Sequence, residues 1–174
     1  LQKTKSFNLN GINLYFIVPN RLCLWRVETF LTKEPETIEW INGFEPSSVF
    51  LDVGANIGLY SIYAAVTKHA RVYAFEPSVY NLPIIAKNIS INKLQELITL
   101  IPLPISNSDI IDSELVLSSD LLGGALNTFQ EKYTWDGSSI NNSTTYRTVG
   151  FSLDYILNEI LRLQPRYLKI DVDG

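Results

Sequence analysis

A parallel α/β sheet with helices on both faces is the fold class predicted by this 174-residue sequence, on three observations. Short apolar runs recur at Val49–Val53, Arg71–Phe75, Ile98–Ile101 and Tyr167–Ile170. Strands buried on both faces read in this nearly unbroken way. Segments of helical periodicity lie between the runs, as crossover connections require. The first run also exits into Gly54-Ala55-Asn56-Ile57-Gly58, where glycine lets a strand turn sharply into a helix.

The elements follow in order. Residues 1–44 are predicted to form an appendage and 45–174 the main domain. Within the appendage, Phe7–Leu9 and Ile12–Val18 flank Asn10-Gly11, a pair that tolerates the positive φ of a type I′ hairpin turn. Pro35 opens a short helix through Ile38 and Ile41 that Gly43 can end. Trp25, Phe30 and Trp40 are expected to pack the appendage onto the sheet. In the main domain, Gly58–Thr67 is helical, and Leu82, Ile85 and Ile89 mark a second helix that tolerates Pro83 only in its first turn. Leu153, Ile156, Leu157, Ile160 and Leu161 form an amphipathic stripe behind Ser152 as N-cap. Between Pro104 and Val149 the chain is rich in Ser, Asn and Gly, with strands expected only at Glu114–Leu117 and Tyr146–Val149; a segment of this kind reads as a lid or a disordered loop.

Composition narrows the function. A net charge of −4 offers no basic excess for a phosphate backbone, which argues against nucleic acid as a partner. No stretch approaches the ~18 uninterrupted apolar residues of a membrane span. The single cysteine, Cys23, excludes an internal disulfide framework and fits a reducing compartment, the cytoplasm.

The chemistry concentrates at two strand ends. In open parallel sheets, ligands bind at the carboxyl edge where the topology switches. The loop after the first strand, Asp52-Val53-Gly54-Ala55-Asn56-Ile57-Gly58, is therefore a candidate nucleotide-type site, with Gly54 turning the chain and Gly58 bringing the helix start close to a ligand. Its spacing is Gly-x-x-x-Gly and lacks the middle glycine at which a dinucleotide pyrophosphate approaches the backbone. Glu76, 22 residues beyond Gly54 at the tip of the second strand, stands where an acid accepts both ribose hydroxyls of a nucleoside, with Pro77 fixing the following turn. The same acid also reads as a solvated carboxylate at a helix start.

Three ordered motifs, Asp52 to Gly58, Tyr73-Ala-Phe-Glu-Pro77 and Leu168-Lys-Ile-Asp-Val-Asp-Gly174, together with Lys33-Glu-Pro-Glu-Thr-Ile-Glu-Trp40 upstream, resemble the FkbM family of methyltransferases. The resemblance runs from about residue 13 to the end. It implies a Rossmann-like class I methyltransferase sheet with S-adenosylmethionine as cofactor. Asp52, Gly54, Asn56 and Gly58 would hold its amino-acid end, Glu76 and Pro77 its ribose, and the stretch Leu103 to Ser106 would border its adenine. The implied reaction is O-methylation of a sugar, glycolipid or secondary metabolite, so the partner is a small-molecule or glycan acceptor. Asp173 stands where the family usually has Glu.

Asp171 is the candidate general base at the mouth of the fourth strand. An Asp171–Asp173 metal site is a further reading, but two carboxylates supply few of the six or more oxygens that magnesium or calcium wants, so no metal is expected. The family's sheet normally continues through three further strands. The fold is thus expected to be incomplete after the fourth, leaving an open edge suited to self-association. Two rival classes remain: a nicotinamide oxidoreductase with the same strand-loop-acid layout, and a non-catalytic nucleoside-binding module.

Overall fold

The computed structural model describes residues 3–9, 11–131, 133, 137, 139–140 and 144–172. An N-terminal hairpin, Thr4–Leu9 (β1) and Ile12–Ile17 (β2), is followed by two helices, Arg21–Lys33 (α1) and Pro35–Asn42 (α2). Then come Val49–Val53 (β3), Leu59–Lys68 (α3), Arg71–Phe75 (β4), Leu82–Ile91 (α4) and Ile98–Ile101 (β5). Four further strands follow: Ile105–Ser106 (β6), Ile110–Leu117 (β7), Thr128–Phe129 (β8) and Thr144–Ser152 (β9). A single α turn, Leu153–Tyr155 (α5), runs on as a π-helix over Ile156–Leu161, and Tyr167–Ile170 is β10.

The main sheet is parallel with order β10-β3-β4-β5, so the fourth core strand lies beside the first. Register pairs Asp52 with Lys169 on one side and with Ala74 on the other. Alternation along the strands divides the core. Phe50, Val72, Ala74 and Ile98 cluster with Phe30 of α1, Ile62 of α3 and Ile85 of α4, and Leu51, Val53 and Phe75 cluster with Ile156 behind the sheet. The hairpin belongs to the first cluster through Leu14, Phe16 and Ile17. One buried amide ties it there: Asn88 accepts from the Ile17 N–H at 2.8 Å and donates to the Ile57 carbonyl at 2.9 Å.

Several expectations need correction. The longest helix, α1, was not anticipated; Asn20 caps it by accepting from the Cys23 N–H, and Cys23, Val27 and Phe30 form its buried stripe. Phe30 does pack the appendage down, and Trp40 stands edge-on to Phe44, Phe50 and Tyr167. Trp25 instead sits at the surface, 46% exposed, under the Lys33 ammonium. Ser152 caps the late helix as predicted. Its i→i+5 winding then rotates the apolar stripe, so that Ile156 is buried while Ile160 faces out. After Pro104 the two expected strands, Glu114–Leu117 and Tyr146–Val149, lie within the longer β7 and β9. With β6 and β8, which were not expected, they form a second sheet of order β6-β9-β7-β8, β7 running antiparallel to β9 from Ile110–Phe151 to Leu117–Thr144. Gly11 has the left-handed φ expected of the hairpin turn; Asn10 lies outside the described residues.

Candidate functional site

The glycine loop begins where β3 ends. Gly54 and Ala55 both donate their N–H to the Phe75 carbonyl at the end of β4, which folds the loop back over the sheet. Gly54 has φ +84, and a Cβ there would run into the Asp171 carbonyl, so no larger residue fits. Asn56 is also left-handed at φ 52, a conformation that asparagine tolerates better than most residues. Its side chain carbonyl accepts from the Ile57 N–H, and its amide donates to the Gly124 carbonyl at 2.7 Å.

Glu76 closes the opposite side. It is 4% exposed, yet it is held at both oxygens: Asn56 donates its N–H to Oε2 at 2.7 Å, and Ser78 donates its N–H to Oε1 at 2.9 Å. Burial pushes its carboxyl above the ordinary value, and these two backbone donors oppose that rise. Asn81 Nδ2 adds a third, longer donor to Oε1 at 3.4 Å. The carboxylate is thus fixed in orientation, in the wall of a cavity of about 310 Å³ lined also by Gly54, Asn56, Pro77 and Asp171.

Two smaller cavities adjoin it. One lies between the glycine loop and the helices α1 and α3, lined by Arg26, Lys33, Glu34, Tyr60, Lys169 and Asp171. The other is mostly apolar, with Val53, Phe75, Leu103, Pro104, Ile105 and Phe129 in its wall. The central cavity shares Arg26, Lys33, Gly54, Asn56 and Asp171 with the first, and Gly54, Pro77, Asn127 and Val172 with the second. A charged, a polar and an apolar compartment therefore run together around one loop.

Of the residues expected in the site, Gly54, Asn56, Glu76, Pro77 and Asp171 meet at the central cavity. Asp52, Gly58 and Ser106 line none of the three. Asp52 is wholly buried beneath the loop, accepting from Ser61 Oγ at 2.6 Å with Lys169 Nζ 3.7 Å away, and burial raises its carboxyl while Lys169 opposes the shift. Gly58 has a packing reason to be glycine. A Cβ there would sit 2.8 Å from Ile85 Cγ1, and the backbone is left-handed at φ +85, so the residue lets α3 start close against α4. Ser106 turns its hydroxyl into its own turn, donating to the Ser108 carbonyl. Asp171 is 63% exposed and takes a 2.9 Å bond from Lys169 Nζ. Asp173 lies outside the described residues, and among the described residues no group of three or more His, Cys, Asp or Glu could hold a metal.

Sequence reasoning missed the roof. Asn81 donates to the Gly124 carbonyl at 3.0 Å and accepts from the Gly123 N–H at 2.9 Å. From the other side, Asn20 donates to the Leu122 carbonyl and Arg26 Nε to the Gly123 carbonyl. Gly123-Gly124 is therefore a clamped turn over the cavity. Only the polarity of Asn81 just before a helix hinted at this role.

A family description, the methyltransferase FkbM domain, matches residues 52–174. The chain belongs to the FkbM methyltransferase family. No curated protein matches it. Among solved structures, TYW2 of P. horikoshii in complex with MeSAdo is 20% identical, with a TM-score of 0.43 over 60% of this chain and 37% of that one. A SAM-dependent methyltransferase from Agrobacterium tumefaciens is 18% identical, with a TM-score of 0.40 over 60% of this chain and 33% of that one. The chain spans about a third of the length of these structures. No helix among the described residues is long and apolar enough to cross a membrane.

Proposed function

We propose that this FkbM-family chain binds S-adenosylmethionine around the glycine loop and serves O-methylation of a sugar, glycolipid or secondary-metabolite hydroxyl. The observation that carries this reading is Glu76, held rigidly just beyond the end of β4 in the wall of the cavity that Gly54 and Asn56 also line. Glu76 would accept the two ribose hydroxyls, Leu103 to Ile105 would border the adenine, and Gly54 and Asn56 would line the path between ribose and amino-acid end. The three compartments match the apolar base, the polar sugar and the charged amino acid of that cofactor. When bound, it supplies a methyl group activated on a sulfonium.

The chain's own part is positioning and proton removal. Walls fixed around one loop hold reactants in line, an effect that can contribute roughly 7–11 kcal/mol. Asp171, at the mouth of β10 and steadied by Lys169, is the candidate base for the acceptor hydroxyl, a role that typically adds roughly 10²–10⁴-fold. The buried, free thiol of Cys23 suits a reducing cytoplasm.

Calorimetry with S-adenosylhomocysteine tests the reading. Glu76→Ala is expected to weaken binding by about 1.5–3 kcal/mol, the range for hydrogen bonds to a charged group. Because burial raises the Glu76 carboxyl, acidification should neutralise it above the ordinary 4.5. Affinity should therefore fall as pH drops through that raised value, and Glu76→Gln should flatten the profile. Unchanged affinity in Glu76→Ala, or tighter binding of NAD, overturns the assignment. Self-association belongs to the same proposal: β10 ends the described sheet with Leu168 and Ile170 exposed. Light scattering on the 174-residue chain should show concentration-dependent association, and a monodisperse monomer would refute it.

A further inference from the structure

The charged compartment draws on residues outside the segment that matches the family. Arg26, Lys33 and Glu34 all precede residue 52, where the match begins. They come from α1 and from the single residue that joins it to α2. Glu34 is that joint, with φ −135 and ψ 68, at once the C-cap of α1 and the N-cap of α2. The break in helical geometry sends its side chain inward, where Tyr60 Oη donates to Oε2 at 2.9 Å. Lys33 Nζ lies 3.1 Å from the other oxygen, and Glu34 is only 27% exposed in its side chain. Arg26 is anchored through Nε on the Gly123 carbonyl at 2.7 Å. Its guanidinium has further donors in a rigid fork, and the residue lines both the charged and the central cavity.

A small cavity walled by three cations, Arg26, Lys33 and Lys169, and two anions, Glu34 and Asp171, is an unusual wall for a base or a sugar, neither of which carries charge. It suits a ligand that carries both signs at once, as an α-amino acid does. The compartment also shares Gly54 and Asn56 with the central cavity.

We infer that the N-terminal helices complete the cofactor site, with Arg26 and Lys33 holding the α-carboxylate and Glu34 the α-ammonium of the ligand's amino-acid end. This inference rests on the proposed binding of S-adenosylmethionine and names the side chains that select its charged end. Rigidity supports it. Besides the Arg26 anchor, α1 is fixed by Asn20 and Cys23 on the Leu122 carbonyl, and Phe30 packs against Tyr60 and Tyr63 at 5.5 Å between ring centres.

The test compares two ligands that share adenosine and differ in the amino acid. Calorimetry on the full chain measures S-adenosylhomocysteine, which has it, and methylthioadenosine, which lacks it. Glu34→Gln, which keeps an acceptor for Tyr60, is expected to weaken S-adenosylhomocysteine about tenfold or more and to leave methylthioadenosine unchanged. Lys33→Ala alters a half-exposed side chain and should weaken S-adenosylhomocysteine about threefold with the same selectivity. Unchanged S-adenosylhomocysteine affinity in both variants, or equal losses for the two ligands, overturns the inference while the cofactor assignment stands. If the unaltered chain binds neither ligand, the cofactor assignment itself fails and this inference falls with it.

Discussion

At the ends of β3 and β4, residues that meet at the cavity are close in sequence and bonded through backbone. Asn56 and Glu76 are separated by 20 positions, and Ser78 reaches Glu76 across two. The roof draws on the second sheet and its loops through far longer separations. Asn81 meets Gly124 across 43 positions, Asn56 meets Gly124 across 68, Tyr146 meets Pro77 across 69, and Arg26 meets Gly123 across 97. The floor is thus set by strand ends and left-handed turns that the local sequence dictates. The roof is set by side-chain amides, a guanidinium and one phenol that find a backbone carbonyl or N–H far away. A fold can keep the floor unchanged while the roof is rebuilt, and this is where related chains can differ in what they accept.

Three substitutions can break or sharpen this contrast. The largest effect is expected at the floor. Gly54→Ala forces a side chain into φ +84 and against the Asp171 carbonyl. The predicted loss is on the order of 3 kcal/mol, read by urea denaturation; a loss near zero would mean that the loop can be rebuilt as freely as the roof. Asn81→Ala removes the buried bonds to Gly123 and Gly124, with an expected cost of about 2 kcal/mol. Amide exchange at Gly123 should accelerate selectively, and equal protection in both proteins would show that α1 alone holds the turn. Tyr146→Phe should have the smallest effect. Its hydroxyl donates to the Pro77 carbonyl at 2.5 Å, and burial pushes the phenol up to about 12. Losing one neutral bond should cost about 1 kcal/mol, with little change in nucleoside binding; a large loss of affinity would make the second sheet part of the floor.

The same division explains what could be read from the sequence. The parallel strands, α3, α4 and the glycine loop follow from apolar runs, helical periodicity and two glycines, and Glu76 followed from its place at a strand tip. The helix α1 was legible in principle, since Asn20 precedes a Cys23, Val27, Phe30 stripe; the aromatic Trp25 drew attention to the wrong face. The second sheet was harder. In β7 the buried residues are consecutive, Leu115 to Leu117, and in β9 polar residues alternate without a strong apolar face. Pairing between strands some 30 residues apart then decides the register, and no local pattern carries it. Asp52 was misplaced for a related reason: an acid at a strand end beside a glycine loop looks like a ligand, and only the three-dimensional position of Ser61 and Lys169 shows that it is buried beneath.

The clamp between α1 and the 122–123 turn also has a consequence in time. Asn20, Cys23 and Arg26 bond to carbonyls about a hundred residues later. A nascent chain leaves the ribosome N-terminus first, so these donors are synthesised long before their acceptors. The hairpin, α1 and the first two parallel strands can collapse together while the turn is still unmade. Closing so long a loop is slow relative to local pairing, so the cover is expected to form after the hairpin and the first parallel strands that it spans.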